Sequence, residues 1–158
     1  MAPDEIRASA LVQAPPPHVY RIIADYHDGH PRIVPPKYFR WMRVERGGTG
    51  AGTTIVFAMR VLGTTSVLHA TVTEPEPGRV LVESYPETGV VTTFAVEPEG
   101  EGASRATIAT RLSARTGIAA ALERWVSRRV LPGMYRDELQ RLAEHAEGRR
   151  VHEPVPRE

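Results

Sequence analysis

Apolar residues recur at every second position near the start of the chain: Ile6, Ala8, Ala10 and Val12 alternate with Arg7, Ser9, Leu11 and Gln13. A period of two marks a half-buried strand. Ala14-Pro15-Pro16-Pro17 then ends the strand and opens a helix, because proline suits a first helical turn. Val19, Ile22, Ile23 and Tyr26 come next at i, i+3, i+4 and i+7, the apolar face of a short helix. Asp28-Gly29 and Pro31 break that helix and Pro35-Pro36 close the next segment, with one further helical turn expected over 32–34.

The period of two then returns. Strands are predicted over 39–45, 53–62, 65–73, 80–84, 90–96 and 105–114, which with the first makes about seven. Gly-rich 47–52, Gly63-Thr64, Glu74-Pro75-Glu76-Pro77-Gly78 and the loop 98–102 supply the turns. Such short connections predict an antiparallel meander. A long amphipathic helix over 116–145 closes the chain. Ile118, Leu122, Trp125 and Val126 lie on one face of its first half, and Tyr135, Leu139, Leu142 and Ala146 continue a face in the second. Pro132-Gly133 between the halves predicts a kink or break. The expected organisation is a tail over 1–4, one domain over 5–147 and a disordered tail over 148–158.

This order predicts an α+β fold in which a curved antiparallel sheet of about seven strands wraps a long C-terminal helix. A helix laid along a curved sheet leaves a cavity, which points to a hydrophobic small molecule as ligand. Composition narrows the classes. The 158 residues suffice for one domain with a real core. A net charge of +1 gives no global attraction to nucleic acid, so no nucleic-acid partner is expected. No apolar run approaches the ~20 residues that span a bilayer, so no membrane insertion is expected. The absence of cysteine excludes disulfides and thiol chemistry, and with no signal-like N-terminus a cytoplasmic location is expected. Arginine, alanine, glycine and proline are favoured and Lys37 is the only lysine, a bias of GC-rich bacterial coding sequence. Monomer and homodimer are both open.

Local sequence adds a resemblance. Val12-Gln13-Ala14-Pro15-Pro16-Pro17-His18-Val19-Tyr20 resembles the junction of first strand and helix in the START-related helix-grip superfamily, SRPBCC. Ile23-Ala24-Asp25-Tyr26 is similar to its helix end, 72–81 to its glutamate- and proline-containing hairpin, and Thr93-Phe94-Ala95-Val96-Glu97-Pro98 to a late strand end. The resemblance spans about 5–146. It implies the helix-grip fold and a place among lipid and sterol carriers, ubiquinone-binding proteins, hormone receptors and polyketide aromatase/cyclases. It carries no shared catalytic residue, so function must be argued from the site.

Tyr26, Tyr38, Trp41, Phe57, Met59, Tyr85, Phe94 and Trp125 are candidate wall residues, since aromatic rings and methionine offer large adaptable apolar surface. Ordinary core packing is the competing reading for each. Strand parity places Thr92 with Phe94, and Thr110 with Ile108 and Leu112, so both threonines become polar spots on the inner face and ligand candidates. Parity puts His69 and Thr71 outside. His30 and Arg32 are read either as solvated loop side chains, the ordinary case, or as an acid/base and an anchor at the cavity mouth. Arg129, four residues after Trp125, is a candidate ligand contact, whereas Arg124 and Arg128 fit a solvated face. His27, Asp28 and His30, with His69 as a further donor, are side-chain types that zinc uses. Their spacing is not that of a helical ligand pair, and no metal or other cofactor is expected.

Two functions emerge. The first is binding or carriage of a hydrophobic small molecule such as a polyketide, lipid or isoprenoid. The second is a polyketide cyclase, aromatase or dehydratase, in which His30 or Tyr38 carries the proton and Arg129 polarises a carbonyl. A protein-partner or stress-related binding module is a third class.

Overall fold

A computed structural model describes residues 4–158. Seven strands form one antiparallel sheet: β1 (Glu5–Val12), β2 (Phe39–Arg46), β3 (Thr54–Val61), β4 (Thr64–Glu76), β5 (Val80–Tyr85), β6 (Val90–Pro98) and β7 (Ser104–Arg111). They lie in the order β1-β7-β6-β5-β4-β3-β2. The meander β2 to β7 therefore runs in sequence, and β1 closes beside β7, pairing Glu5 with Arg111 and Val12 with Ser104. Between β1 and β2 come α1 (Pro16–Ala24) and α2 (Gly29–Ile33), and α3 (Ile118–Ala146) comes after β7. This is the helix-grip α+β architecture.

The sheet is curved, and register shifts mark where strands bend: at Phe39/Trp41 and Val44/Arg46 in β2, and between Thr73 and Glu76 in β4. The β3–β4 hairpin turns through Leu62 and Gly63, with φ of 51° and 80°. Positive φ at both residues is what a tight two-residue hairpin requires. The turn thus falls one residue earlier than Gly63-Thr64.

The inner face buries Ile55, Phe57, Ala70, Val72, Leu81, Phe94, Val96, Ala106 and Ile108 against α1, α2 and the second half of α3. In α3 the buried residues are Met134, Tyr135, Glu138, Leu139, Leu142 and Ala143, all beyond Pro132. The helix runs unbroken through that proline, so the predicted break is absent. The first half has a different character: Ile118 is 92% exposed and Leu122 60% exposed. It extends past the packed core and overhangs the open end of the sheet.

The segment after α3 also departs from expectation. Rather than forming a disordered tail, it folds back on the domain. Val155 and His152 are buried, Val155 N–H donates to the Pro31 carbonyl at 2.9 Å, and Met42 N–H donates to the Pro156 carbonyl at 2.8 Å. A valine and backbone pairing at an otherwise open β2 edge supply the reason: apolar burial and satisfied edge groups outweigh the entropy of a free tail. Of the expected N-terminal tail, residues 1–3 lie outside the described residues, while the Asp4 carbonyl accepts from Leu112 N–H at 2.8 Å.

Candidate functional site

Between the sheet and α3 lies a cavity of about 180 Å³. Ile55, Phe57, Met59, Leu68, Val90, Phe94 and Leu112 line it from the sheet, and Val126, Val130, Leu131 and Met134 from the helix. At the end beneath the first half of α3 it continues into a wider hollow of about 410 Å³, sharing Met59, Val61, Leu68, Val90 and Val126. The inner walls are overwhelmingly apolar. At the opposite, closed end the polar groups converge: His30, Glu83, Tyr85, Thr92, Thr110, Tyr135 and Glu138.

His30 owes its place to the turn between α1 and α2. Asp25 ends α1, and its carboxylate accepts from the N–H groups of His27 at 3.0 Å and Asp28 at 3.2 Å, while His30 N–H donates to the Asp25 carbonyl at 2.7 Å. Gly29 makes the close approach possible, since a Cβ there would meet the Ile22 carbonyl oxygen at 2.5 Å. The imidazole is therefore driven inward. It is 2% exposed, stacks on Tyr26 at 4.4 Å and meets Phe94 edge-on at 5.5 Å. Nδ1 lies 2.8 Å from the Ile23 carbonyl, an acceptor, which fixes Nδ1 as the donor and turns Nε2 toward Glu83 Oε1 at 3.6 Å.

Glu83 is 4% exposed and sits on β5 in register with Leu81 and Tyr85. Its Oε1 accepts from the Tyr26 hydroxyl at 2.6 Å and its Oε2 from the Tyr85 hydroxyl. Burial and the adjacent carboxylate push both phenols well above the ordinary tyrosine range. A second polar chain runs beside this one. Thr92 and Thr110 hydroxyls lie 2.8 Å apart across β6 and β7, and Thr110 also bonds the Tyr135 hydroxyl of α3. Burial pushes Tyr135 upward as well.

Glu138 differs from all of these. It is 3% exposed on the cavity face of α3, and among the described residues no group hydrogen-bonds to or pairs with its carboxyl. Burial first, then the nearby charges of Glu83 and Asp137, push it well above the ordinary carboxyl range. The site therefore carries one carboxyl held by phenols and one, facing open space, whose protonated form burial favours.

Of the residues singled out from sequence, His30, Phe57, Met59, Tyr85, Thr92, Phe94 and Thr110 line the cavity. Tyr26 stands behind its floor, holding His30 and Glu83. The solvated reading of His30 is overturned by its burial. The others lie elsewhere. Trp125 is 58% exposed; the inward stripe of α3 is Val126, Val130 and Met134, and residues 125 and 129 fall on the outer side. Arg129 is accordingly exposed and Arg32 points away, bonding Asp28 at 3.0 Å and the His152 carbonyl at 2.9 Å. Trp41 alternates with the inward Met42 and lies under Arg43, whose Cζ is 5.2 Å from its ring. Tyr38 is half-buried beside Lys37 and is not on the cavity wall. His69 is outside, between Glu45 and Glu87 at 3.4 and 2.7 Å. Sequence reading missed Glu83, Tyr135 and Glu138.

The sequence pattern of the family described as polyketide cyclase / dehydrase and lipid transport matches residues 3–147. The chain belongs to this family. Among solved structures it resembles the KanY protein, at 24% identity over 94% of this chain and all of that one, with a TM-score of 0.80. The Zhui aromatase/cyclase from Streptomyces sp. R1128 is 17% identical over 92% of this chain and 94% of its own, with a TM-score of 0.74. A START superfamily protein from Mycobacterium smegmatis is 12% identical over 89% and 98%, with a TM-score of 0.70. At these identities the structures establish the shared fold. No curated protein matches the chain. Family membership fits what the site offers, an apolar hold with a polar floor. Among the described residues no helix is long and apolar enough to cross a membrane.

Proposed function

We propose that the protein binds a hydrophobic, polyketide-like small molecule in the cavity between its sheet and α3. The observation that carries this reading is the apolar cavity closed at one end by His30, Glu83, Tyr85, Thr92 and Tyr135 and opening at the other beneath α3. Apolar walls supply affinity at roughly 25 cal/mol per Å² removed from water, and a few fixed polar groups supply orientation. Family membership supports the same class of ligand. Calorimetric titration with ethylnaphthalene tests it. The wild type should bind, and Met59→Trp, which fills the junction of cavity and mouth, should bind at least ~10-fold more weakly, ~1.4 kcal/mol. Equal affinity in both would place binding outside the cavity.

A second reading is favoured by the His30–Glu83 pair: acid/base chemistry on the bound molecule. With Nδ1 committed to Ile23, Nε2 is the nitrogen free to take a proton from the carbon beside a ligand carbonyl. In a β-hydroxyketone the electrons of that C–H bond would form the double bond as the C–O bond breaks, and the proton held on Nε2 would pass to the departing hydroxyl, giving one water and a conjugated enone. The test is absorbance of the enone formed from a naphthyl β-hydroxyketone. His30→Gln should lower the rate by ~10²–10⁴ if His30 is the base. A rate equal to wild type removes His30 from that role.

A further inference from the structure

Glu138 is a buried acid that no group among the described residues bonds, directed into a cavity where the neighbouring glutamate, threonines and tyrosines are engaged with one another. Glu83 is taken up by Tyr26 and Tyr85, and Thr92, Thr110 and Tyr135 bond in a chain. The Glu138 carboxyl borders open cavity space, where a bound molecule can supply the partner that the protein does not. The inner wall also carries no arginine or lysine among the described residues, and its two carboxyl groups lie on β5 and α3 with His30 the sole basic side chain.

We propose that Glu138 is the hydrogen-bond donor that selects the ligand: its carboxylic acid donates to a carbonyl oxygen of an uncharged ligand, and the same cavity rejects ligands that carry a carboxylate. This rests on the cavity-binding reading above and names the ligand's chemistry. The carboxylic acid form has a structural cause. Desolvation and the Glu83 carboxylate both disfavour a second negative charge there. A donor is therefore presented to the ligand, whereas a fatty-acid carboxylate would meet Glu83 with no guanidinium or ammonium to receive it. Specificity arises from one attractive and one repulsive element on the same floor. The class that fits is a neutral ketone or quinone on an apolar skeleton.

The experiment uses four naphthalene probes of matched size, titrated calorimetrically into the full chain at neutral pH: acetylnaphthalene, ethylnaphthalene, naphthoate and naphthylethylamine. In the wild type the ketone should bind ~10-fold tighter than the hydrocarbon, the return on one hydrogen bond that relieves an unpaired group. Naphthoate should bind at least ~10-fold more weakly than the ketone. Glu138→Leu should collapse the ketone-to-hydrocarbon ratio to about one, and Glu138→Gln, whose amide still donates, should retain part of it. Circular dichroism melts establish that both variants fold. A ratio unchanged in Glu138→Leu overturns the proposal, and so does tighter binding of the amine or of naphthoate than of the ketone. If ethylnaphthalene itself fails to bind the wild type, the cavity reading falls and this one with it. If the hydrocarbon binds without ketone preference, only the role of Glu138 falls.

Discussion

Removing the Tyr26 hydroxyl tests whether the cavity floor is held together as a network. Tyr26→Phe keeps the ring that stacks on His30 at 4.4 Å and deletes only the donor to Glu83 Oε1 at 2.6 Å. Both partners are nearly inaccessible, at 2% and 4% exposure, so water cannot replace the lost hydroxyl. A hydrogen bond to a charged group contributes about 1.5–3 kcal/mol, and that is the expected loss of stability. For a chain of this length each kcal/mol moves Tm by about 2–4 °C, so the melt should fall by about 3–12 °C. Urea unfolding followed by circular dichroism gives the free energy directly. Repeating the substitution in a Glu83→Leu background completes a double-mutant cycle. There the phenol has already lost its acceptor, so the second loss should be smaller by ~1 kcal/mol or more. A loss below about 0.5 kcal/mol in the wild-type background, or strict additivity, would show that Tyr26 and Glu83 are neighbours without being partners.

Other substitutions probe separate parts of the account. Glu138→Gln should stabilise the protein increasingly as pH rises above the 4.5 of a free glutamate. The folded carboxyl sits well above the 4.5 of a free glutamate, so the folded state binds the proton more tightly. Wild-type stability is then lost as pH rises from the unfolded toward the folded value, and melts across that range read the difference. Deleting residues 151–158 should cost about 2 kcal/mol or more, because Val155 loses its burial and the backbone bonds to Pro31 and Met42 disappear; a shift under ~0.5 kcal/mol in urea unfolding would mean that the tail merely rests on the surface. Trp125→Ala should change stability by less than about 0.5 kcal/mol, as its 58% exposure implies, and a larger loss would place its ring in the core.

The fold is legible because each element writes its own period. Alternation identifies every strand from Ile6 to Leu112, and proline and glycine mark the turns. The extent of the long helix is legible too, but its inward stripe is not: Trp125 resembles core because it is large and apolar. Only the placement of Val126, Val130 and Met134 against the sheet shows that residue 125 faces away. The tail misleads for a complementary reason. Polar, proline-rich sequence reads as disorder unless one knows that β2 offers an edge and α2 a carbonyl to pair with.

The site is half visible in the sequence. Phe57, Met59, Phe94, Thr92 and Thr110 follow from strand parity, and His30 stands out as a histidine beside Gly29. Glu83 and Glu138 escape notice although each leaves a signal. Glu83 shares parity with Leu81 in an apolar strand, and Glu138 lies midway between Met134 and Leu142 on a stripe of four-residue spacing. A charged residue in an inward register reads as a helix or strand edge until its neighbours prove buried. What sequence does not convey is which acids meet. β5 and α3 bring them to one cavity floor from distant parts of the chain.

The measurement that bears most directly on the central claim is isotope-filtered NMR on the wild-type protein with bound ethylnaphthalene, recording which side chains lie against the ring. Contacts to the methyl groups of Ile55, Met59, Leu68 and Met134 are predicted, since these line the cavity. Contacts confined to Ile118 and Trp125, which are exposed on α3 and line neither the cavity nor its mouth, would contradict a ligand held between sheet and helix.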